Sequence, residues 1–316
     1  MTSWRKPAQA AASLGEIAHQ LTERDLAIVD HLNRFRLLTI VQLERVFFDS
    51  ASSAYDRIKT LCERELLDRR RPSTHEAYRY FLGFLGLTLA HSVAVADFER
   101  DPGIDFFGES EKPKPGRAPT KLKARQYADS LFFSSHRSHL EGVNDFYTRL
   151  ASSCRGDIDA VLRYWYVERE AEKVSPAMGQ RPDGCFDLAF AGQEREFTFE
   201  YDTGTEPLER LVRKVDWYNK EIGRRQGIRS RDINEGKRTR EQILALAPPR
   251  MMLIEFTKPG REANLHDRLA AAGGRDLVAT TNTTRSGDPL GPVWWCAGDS
   301  PAEMRCLDEV YSFRRL

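Results

Sequence analysis

Apolar residues first recur at helical spacing after Thr22, where Leu26, Val29 and Leu32 follow an acidic turn formed by Glu23 and Asp25. That pattern predicts a capped helix ending near Arg36. Thr39 and Gln42 have capping-box spacing, and Val41, Leu43, Val46 and Phe47 supply the apolar positions of a short second helix. A third helix is predicted after Ser50, with Ala54, Ile58 and Leu61 facing inward and Ser52, Ser53, Tyr55, Asp56 and Lys59 largely outward. Leu66 and Leu67 begin a short strand, Arg69, Arg70, Arg71 and Pro72 turn out, and Tyr78 to Leu82 return as a second strand. The apolar run Phe81 to Ala96 predicts a further helix packed on this hairpin.

Periodicity is lost from about residue 100. Lys112 to Arg125, KPKPGRAPTKLKAR, has six cations, no acid and three prolines, which reads as an extended basic connector. Beyond it the pattern alternates: a helix around His139 to Leu150, strands at Val161 to Val167, Phe186 to Phe190 and Glu196 to Asp202, and a helix from Pro207 to about Arg224. Strands at Met251 to Phe256 and Leu277 to Thr280 follow, separated by a helix near Leu265 to Ala272. The expected fold class is mixed α/β: an N-terminal domain over 20–98, a linker over 99–126, and a sheet flanked by helices over 127–316.

Three short helices, the last exposing polar and basic residues, are the parts of a helix-turn-helix, and the arginine-bearing hairpin after them would be its wing. Ser52, Ser53, Tyr55, Arg57, Lys59, Arg69, Arg70, Arg71 and Arg79 are the candidate DNA-binding residues. A plain helical bundle, or a winged helix serving as a protein-interaction module, is the alternative.

In the second domain the carboxylates stand out, because acids seldom sit at the ends of apolar strands without a reason. In PDGCFDLAF, Asp183 opens one strand. In EFTFEYD, Glu200 and Asp202 lie one pleat repeat apart on one face of the next. Such a set suits a hard divalent cation, magnesium or manganese, and a metal-activated water could attack phosphorus. In RLVRKVDWYNK, Lys214 and Tyr218 are four apart and share a helix face. The lysine there would stabilise charge on a phosphate or help deprotonate the water, and the tyrosine would orient the phosphate. The alternative is an inert polar cluster in which Lys214 pairs with Asp183 or Asp202. Tyr201 and Tyr218 leave a covalent phosphotyrosine route as a minor option.

The order PD, then Glu-x-Asp ending a strand, then Lys-x-x-x-Tyr on a helix resembles the PD-(D/E)xK nuclease superfamily. More narrowly, RPDGCFDLAF, FTFEYDTGTEPLERLVRKVDWY and the upstream SHLEGVNDFY resemble the replication-relaxation family of plasmid and integrative elements. That resemblance covers most of the chain and implies a winged helix-turn-helix before a restriction-endonuclease-like domain. It further implies Asp183 and Glu200 as metal ligands with Asp202 nearby, and Lys214 and Tyr218 on the adjoining helix. One departure is plain: the superfamily's lysine normally follows the strand glutamate by two residues, where this chain has Asp202, so activity depends on Lys214 replacing it.

Composition narrows the picture. Hydrophobic residues make up 41% and charged ones 30% of the 316 residues, as in a soluble globular chain. No long apolar run or secretory leader is present, so a cytoplasmic protein with no membrane partner is expected. Five scattered cysteines without a CxxC argue against disulfides and structural zinc. The net charge of +1 makes no global case for a polyanion partner, so the local basic stretches, including a second one from Lys220 to Arg240, carry that argument. No phosphate-loop pattern occurs, so no nucleotide is implied. His136 and His139 do not form the histidine triplet of a classical relaxase and read as helix-start or packing residues. Two functions follow: a metal-dependent DNA nickase or endonuclease, relaxase-like, acting at an origin-type site in replication or conjugative transfer, or a non-catalytic DNA-binding regulator on a degenerate nuclease fold. Double-stranded DNA is the expected partner, with a second copy of the chain and other replication or transfer proteins as further candidates.

Overall fold

The structure is a computed structural model that describes residues 14–100, 119–174, 181–220, 251–271 and 278–310. Two compact units are present, Met1–Thr148 and Arg149–Leu316. Among the described residues no helix is long and apolar enough to cross a membrane.

The first unit contains α1 (Leu14–Ala18), α2 (Glu23–Phe35), β1 (Leu38–Thr39), α3 (Ile40–Phe47), α4 (Ala51–Glu63), β2 (Leu67–Arg70), β3 (Arg79–Leu82), α5 (Phe84–Arg100) and α6 (Lys121–Phe132). Helix α7 (Arg137–Gly156) begins in this unit, and the division after Thr148 falls inside it. Both anticipated caps are formed. The Thr22 hydroxyl accepts from Asp25 N–H while the Asp25 carboxylate accepts from Thr22 N–H at 2.7 Å, and Thr39 and Gln42 repeat the arrangement at α3. Arg36, with φ of 68°, ends α2, and the buried Asn144 amide donates to the Phe35 and Leu37 carbonyls at 3.1 and 2.7 Å. The first of these satisfies a carbonyl of the last turn of α2, and the second pins the chain just beyond it.

Three features of this unit lie beyond the sequence pattern. β1 is only two residues long, yet it completes a sheet of order β1-β3-β2 by pairing antiparallel with β3. Arg69 and Arg70 lie within β2 rather than in the turn, which leaves Arg71 as the first residue past the strand. The basic connector is not extended throughout. From Lys121 it is helical, because Thr120 caps α6 and Ala124, Ala128 and Phe132 form a buried i, i+4, i+8 stripe, of which Ala128 and Phe132 pack with Leu37 and Phe81. The rest of the expected linker, 101–118, lies outside the described residues.

The second unit is built on a seven-stranded sheet of order β10-β9-β8-β7-β6-β5-β4. Its strands are β4 (Ala160–Val167), β5 (Gly184–Phe190), β6 (Gln193–Asp202), β7 (Met251–Phe256), β8 (Val278–Asn282), β9 (Trp294–Cys296) and β10 (Met304–Arg305). The helices after α7 are α8 (Glu168–Val174), α9 over 208–220, and α10 (Pro259–Ala271). β4, β5 and β6 form an antiparallel meander, β6, β7 and β8 run parallel, and β9 and β10 return antiparallel. At the β5–β6 turn, Ala191 and Gly192 both take positive φ, 45° and 80°, as a two-residue turn matched to strand twist requires.

Alternation along β7 assigns its faces. Met252, Ile254 and Phe256 pack with Leu208, Val215 and Tyr218 of α9 and Leu265 and Leu269 of α10. Glu255 points to the other face, where it is fully buried and Arg149 of α7 donates to both its oxygens at 2.8 and 2.9 Å. β9 and β10 had no sequence signal of their own. β9 carries Trp294, fully buried with its indole N–H on the Pro289 carbonyl at 2.8 Å, and Trp295, which stacks on His266 at 3.6 Å.

Candidate active site

The β5–β6 meander brings Asp183 and Glu200 together. Gly184 pairs with Phe199, so Asp183 stands one step further along, across from Glu200. Tyr201 N–H donates to Asp183 Oδ2 at 2.8 Å, which fixes that carboxylate beside the β6 backbone. Glu200 is 8% exposed and in direct contact with the Lys214 ammonium of α9. Burial works against the lysine's charge, yet Glu200, with Asp183 and Glu206 adding to it, holds the ammonium above the ordinary lysine range. The raised value keeps Lys214 protonated beside Glu200, the form that would stabilise charge on a phosphate.

The remaining expected residues lie elsewhere. Asp202 shares the face of Glu200 but is engaged by Arg261 of α10, whose Nε donates to both carboxylate oxygens at 3.0 and 2.9 Å. Asp202 also accepts from Gly204 N–H in the turn after β6, where Gly204 takes a φ of 77°. This arrangement anchors the start of α9 to α10. Arg261 had no sequence signal, because its partner is 59 residues away in the chain. Tyr218 is 3% exposed, its ring packed in the apolar layer with Val215 and Ile254. Tyr201 points to the face opposite Glu200 by strand alternation.

Among the described residues no group of three or more His, Cys, Asp or Glu side chains is arranged to hold a metal ion. Magnesium needs less from a protein, one or two carboxylates with waters and phosphate oxygens completing its shell. Asp183 and Glu200, opposed across two strands, fit that smaller requirement.

The first unit presents the other candidates. On α4, Ser52, Ser53 and Tyr55 are exposed and Lys59 half-exposed, on the face away from Ala54, Ile58 and Leu61. Arg57 instead turns back to the fully buried Asp25, donating from Nε at 2.8 Å and also from Nη2. Arg70 bonds Asp68 and Asp129 at 2.7 and 3.2 Å, and Arg79 makes two bonds of 2.9 Å to Glu141 and a third to Glu76. Arg69 and Arg71 lie over the Tyr78 ring at 4.4 and 4.9 Å, and Arg71 is exposed. The exposed polar set thus comprises the α4 face and the outer edge of the hairpin, while Arg57, Arg70 and Arg79 hold the unit together. The second basic stretch lies outside the described residues beyond Lys220, which pairs with Asp216.

Comparison with known proteins adds one finding: the sequence profile of the replication-relaxation family matches residues 29–234. No curated protein and no solved structure matches the chain.

Proposed function

Because the chain belongs to the replication-relaxation family, we propose that it is a DNA-processing protein of a plasmid or integrative element that nicks or cleaves DNA with metal assistance. Its first unit would be a winged helix-turn-helix. In support, α2, α3 and α4 are followed by the β2–β3 hairpin, and α4 offers polar side chains of a kind that read a major groove. The second unit would be restriction-endonuclease-like, a reading supported by the β4–β5–β6 meander, the α9 crossover and the parallel β7. Duplex DNA is the partner this reading requires. A second copy would add the specificity that one recognition helix lacks, other replication or transfer proteins would act with it, and the cytoplasm is where such a protein works.

The observation that carries the reading is the contact of Lys214 with Glu200 opposite Asp183. Asp183 and Glu200 would hold magnesium or manganese, whose charge would polarise a water and offset that of the phosphate. Lys214 presents a fixed positive charge to the phosphate as negative charge builds on it. Tyr201 N–H orients Asp183, while the Asp202–Arg261 pair and the buried Tyr218 hold α9, and with it Lys214, at the sheet. The rival reading, DNA binding without catalysis, draws on Asp202, which is given over to Arg261 and leaves two carboxylates where three were expected.

The test is cleavage of a supercoiled plasmid carrying the protein's own origin region, with magnesium, manganese or EDTA, by wild type and Glu200→Ala. Relaxed or linear product that requires both metal and Glu200 is expected. Tight, salt-sensitive binding without product would refute catalysis and leave the binding-only reading.

A further inference from the structure

An ammonium and a divalent cation cannot both occupy the near side of one carboxylate without strong repulsion. In this site the ammonium is already there: Lys214 touches Glu200, and only 22% of the lysine side chain and 10% of the glutamate side chain are exposed. Leaving Glu200 buried and unpaired would be costly, so the contact stabilises the protein before any ligand arrives. A lysine is a point charge on a flexible four-carbon stem, so its ammonium can move to a phosphate oxygen without moving α9.

Resting on the metal-dependent reading above, we propose that Lys214 is a built-in counter-cation that competes with the divalent metal for Glu200 and yields to it when a DNA phosphate draws the ammonium away. Metal and DNA then bind with positive coupling, each strengthening the other by the same factor. The free protein would hold metal weakly, and the complete constellation would assemble only on DNA.

The experiment measures Mn²⁺ binding to the full chain by electron paramagnetic resonance, with and without a short duplex, for wild type, Lys214→Gln, Lys214→Met and Lys214→Arg. Glu200→Gln serves as the blank at each DNA concentration. Without DNA, both neutral variants should bind Mn²⁺ about tenfold more tightly than wild type or more, as expected on removing a unit charge a few ångströms away in a partly buried site. Lys214→Arg, which keeps the charge, should stay near wild type. DNA should tighten Mn²⁺ binding to wild type by a clearly larger factor than to the neutral variants, which gain only the phosphate ligand and not the release of Lys214. If the neutral variants bind no more tightly than wild type while Glu200→Gln loses binding, the competition is wrong and the metal site stands. If no protein binds Mn²⁺ above the Glu200→Gln blank, with or without DNA, the competition and the metal site fall together. Circular dichroism of each variant confirms folding, and having two neutral variants covers the failure of either.

Discussion

Acidification from pH 7 to pH 4.5 should weaken the second unit through His266. The imidazole is 6% exposed, stacked on Trp295 with an interplanar angle of 3°, and its Nε2 lies 2.8 Å from the Thr280 hydroxyl. Thr280 gives its own proton to Glu262 at 2.6 Å, so His266 must be the donor in their bond, which assigns the neutral ring with hydrogen on Nε2. Burial is the main cause that pulls its pKa from 6.5 to about 4. Glu262 opposes that shift, Arg285 adds to it, and Asp267 and Asp299 oppose it more weakly. Because the folded value is depressed, the unfolded chain takes up a proton between about 6.5 and about 4 and the folded one does not. Stability is therefore complete above the unfolded value and is lost as pH falls towards the folded one. At about 1.4 kcal/mol per unit the loss approaches 3 kcal/mol, an order-of-magnitude figure.

The assay is urea denaturation between pH 7.5 and 4.5, followed by tryptophan fluorescence, for wild type and His266→Gln. Glutamine can still donate to Thr280, and the lost stacking offsets its stability by an amount independent of pH. The wild-type curve should therefore fall more steeply than the variant's, by up to about 1.4 kcal/mol per unit. Parallel curves across this range would show that His266 titrates alike in both states and would sink the argument.

Three further outcomes follow from buried and exposed charges. Arg149→Met should cost about 3 to 5 kcal/mol by stranding the fully buried Glu255, and adding Glu255→Gln should recover about 2 kcal/mol or more, as measured in a double-mutant cycle, whereas simple additivity would mean the pair is not coupled. In DNA titrations at several salt concentrations, Lys59→Ala and Arg71→Ala should each lower the salt slope by about one. Arg79→Ala, whose side chain is 12% exposed and tied to Glu141, should lower thermal stability instead, and a large change in salt slope there would contradict its role in holding the unit together.

Much of this protein is local and so legible in the sequence. Thr22 with Asp25 and Thr39 with Gln42 cap helices through partners three residues away, and the 3.6 and 2.0 periods recovered α2, α4, β6 and β7 near their observed bounds. Alternation along β6 placed Glu200 and Asp202 on one face, because strand geometry alone decides that. What alternation cannot decide is which partner each acid meets. Lys214 came to Glu200 through the α9 crossover, and Arg261 came to Asp202 through α10, which divides two acids the sequence treated alike. The same limit separated the arginines: Arg57 and Arg79 resemble Arg71 in sequence, but tertiary packing set Asp25 and Glu141 beside them and left Arg71 outward. Chain-local periodicity specifies direction and spacing, whereas the pairing of charges remote in sequence depends on which elements pack face to face, and only the folded chain determines that.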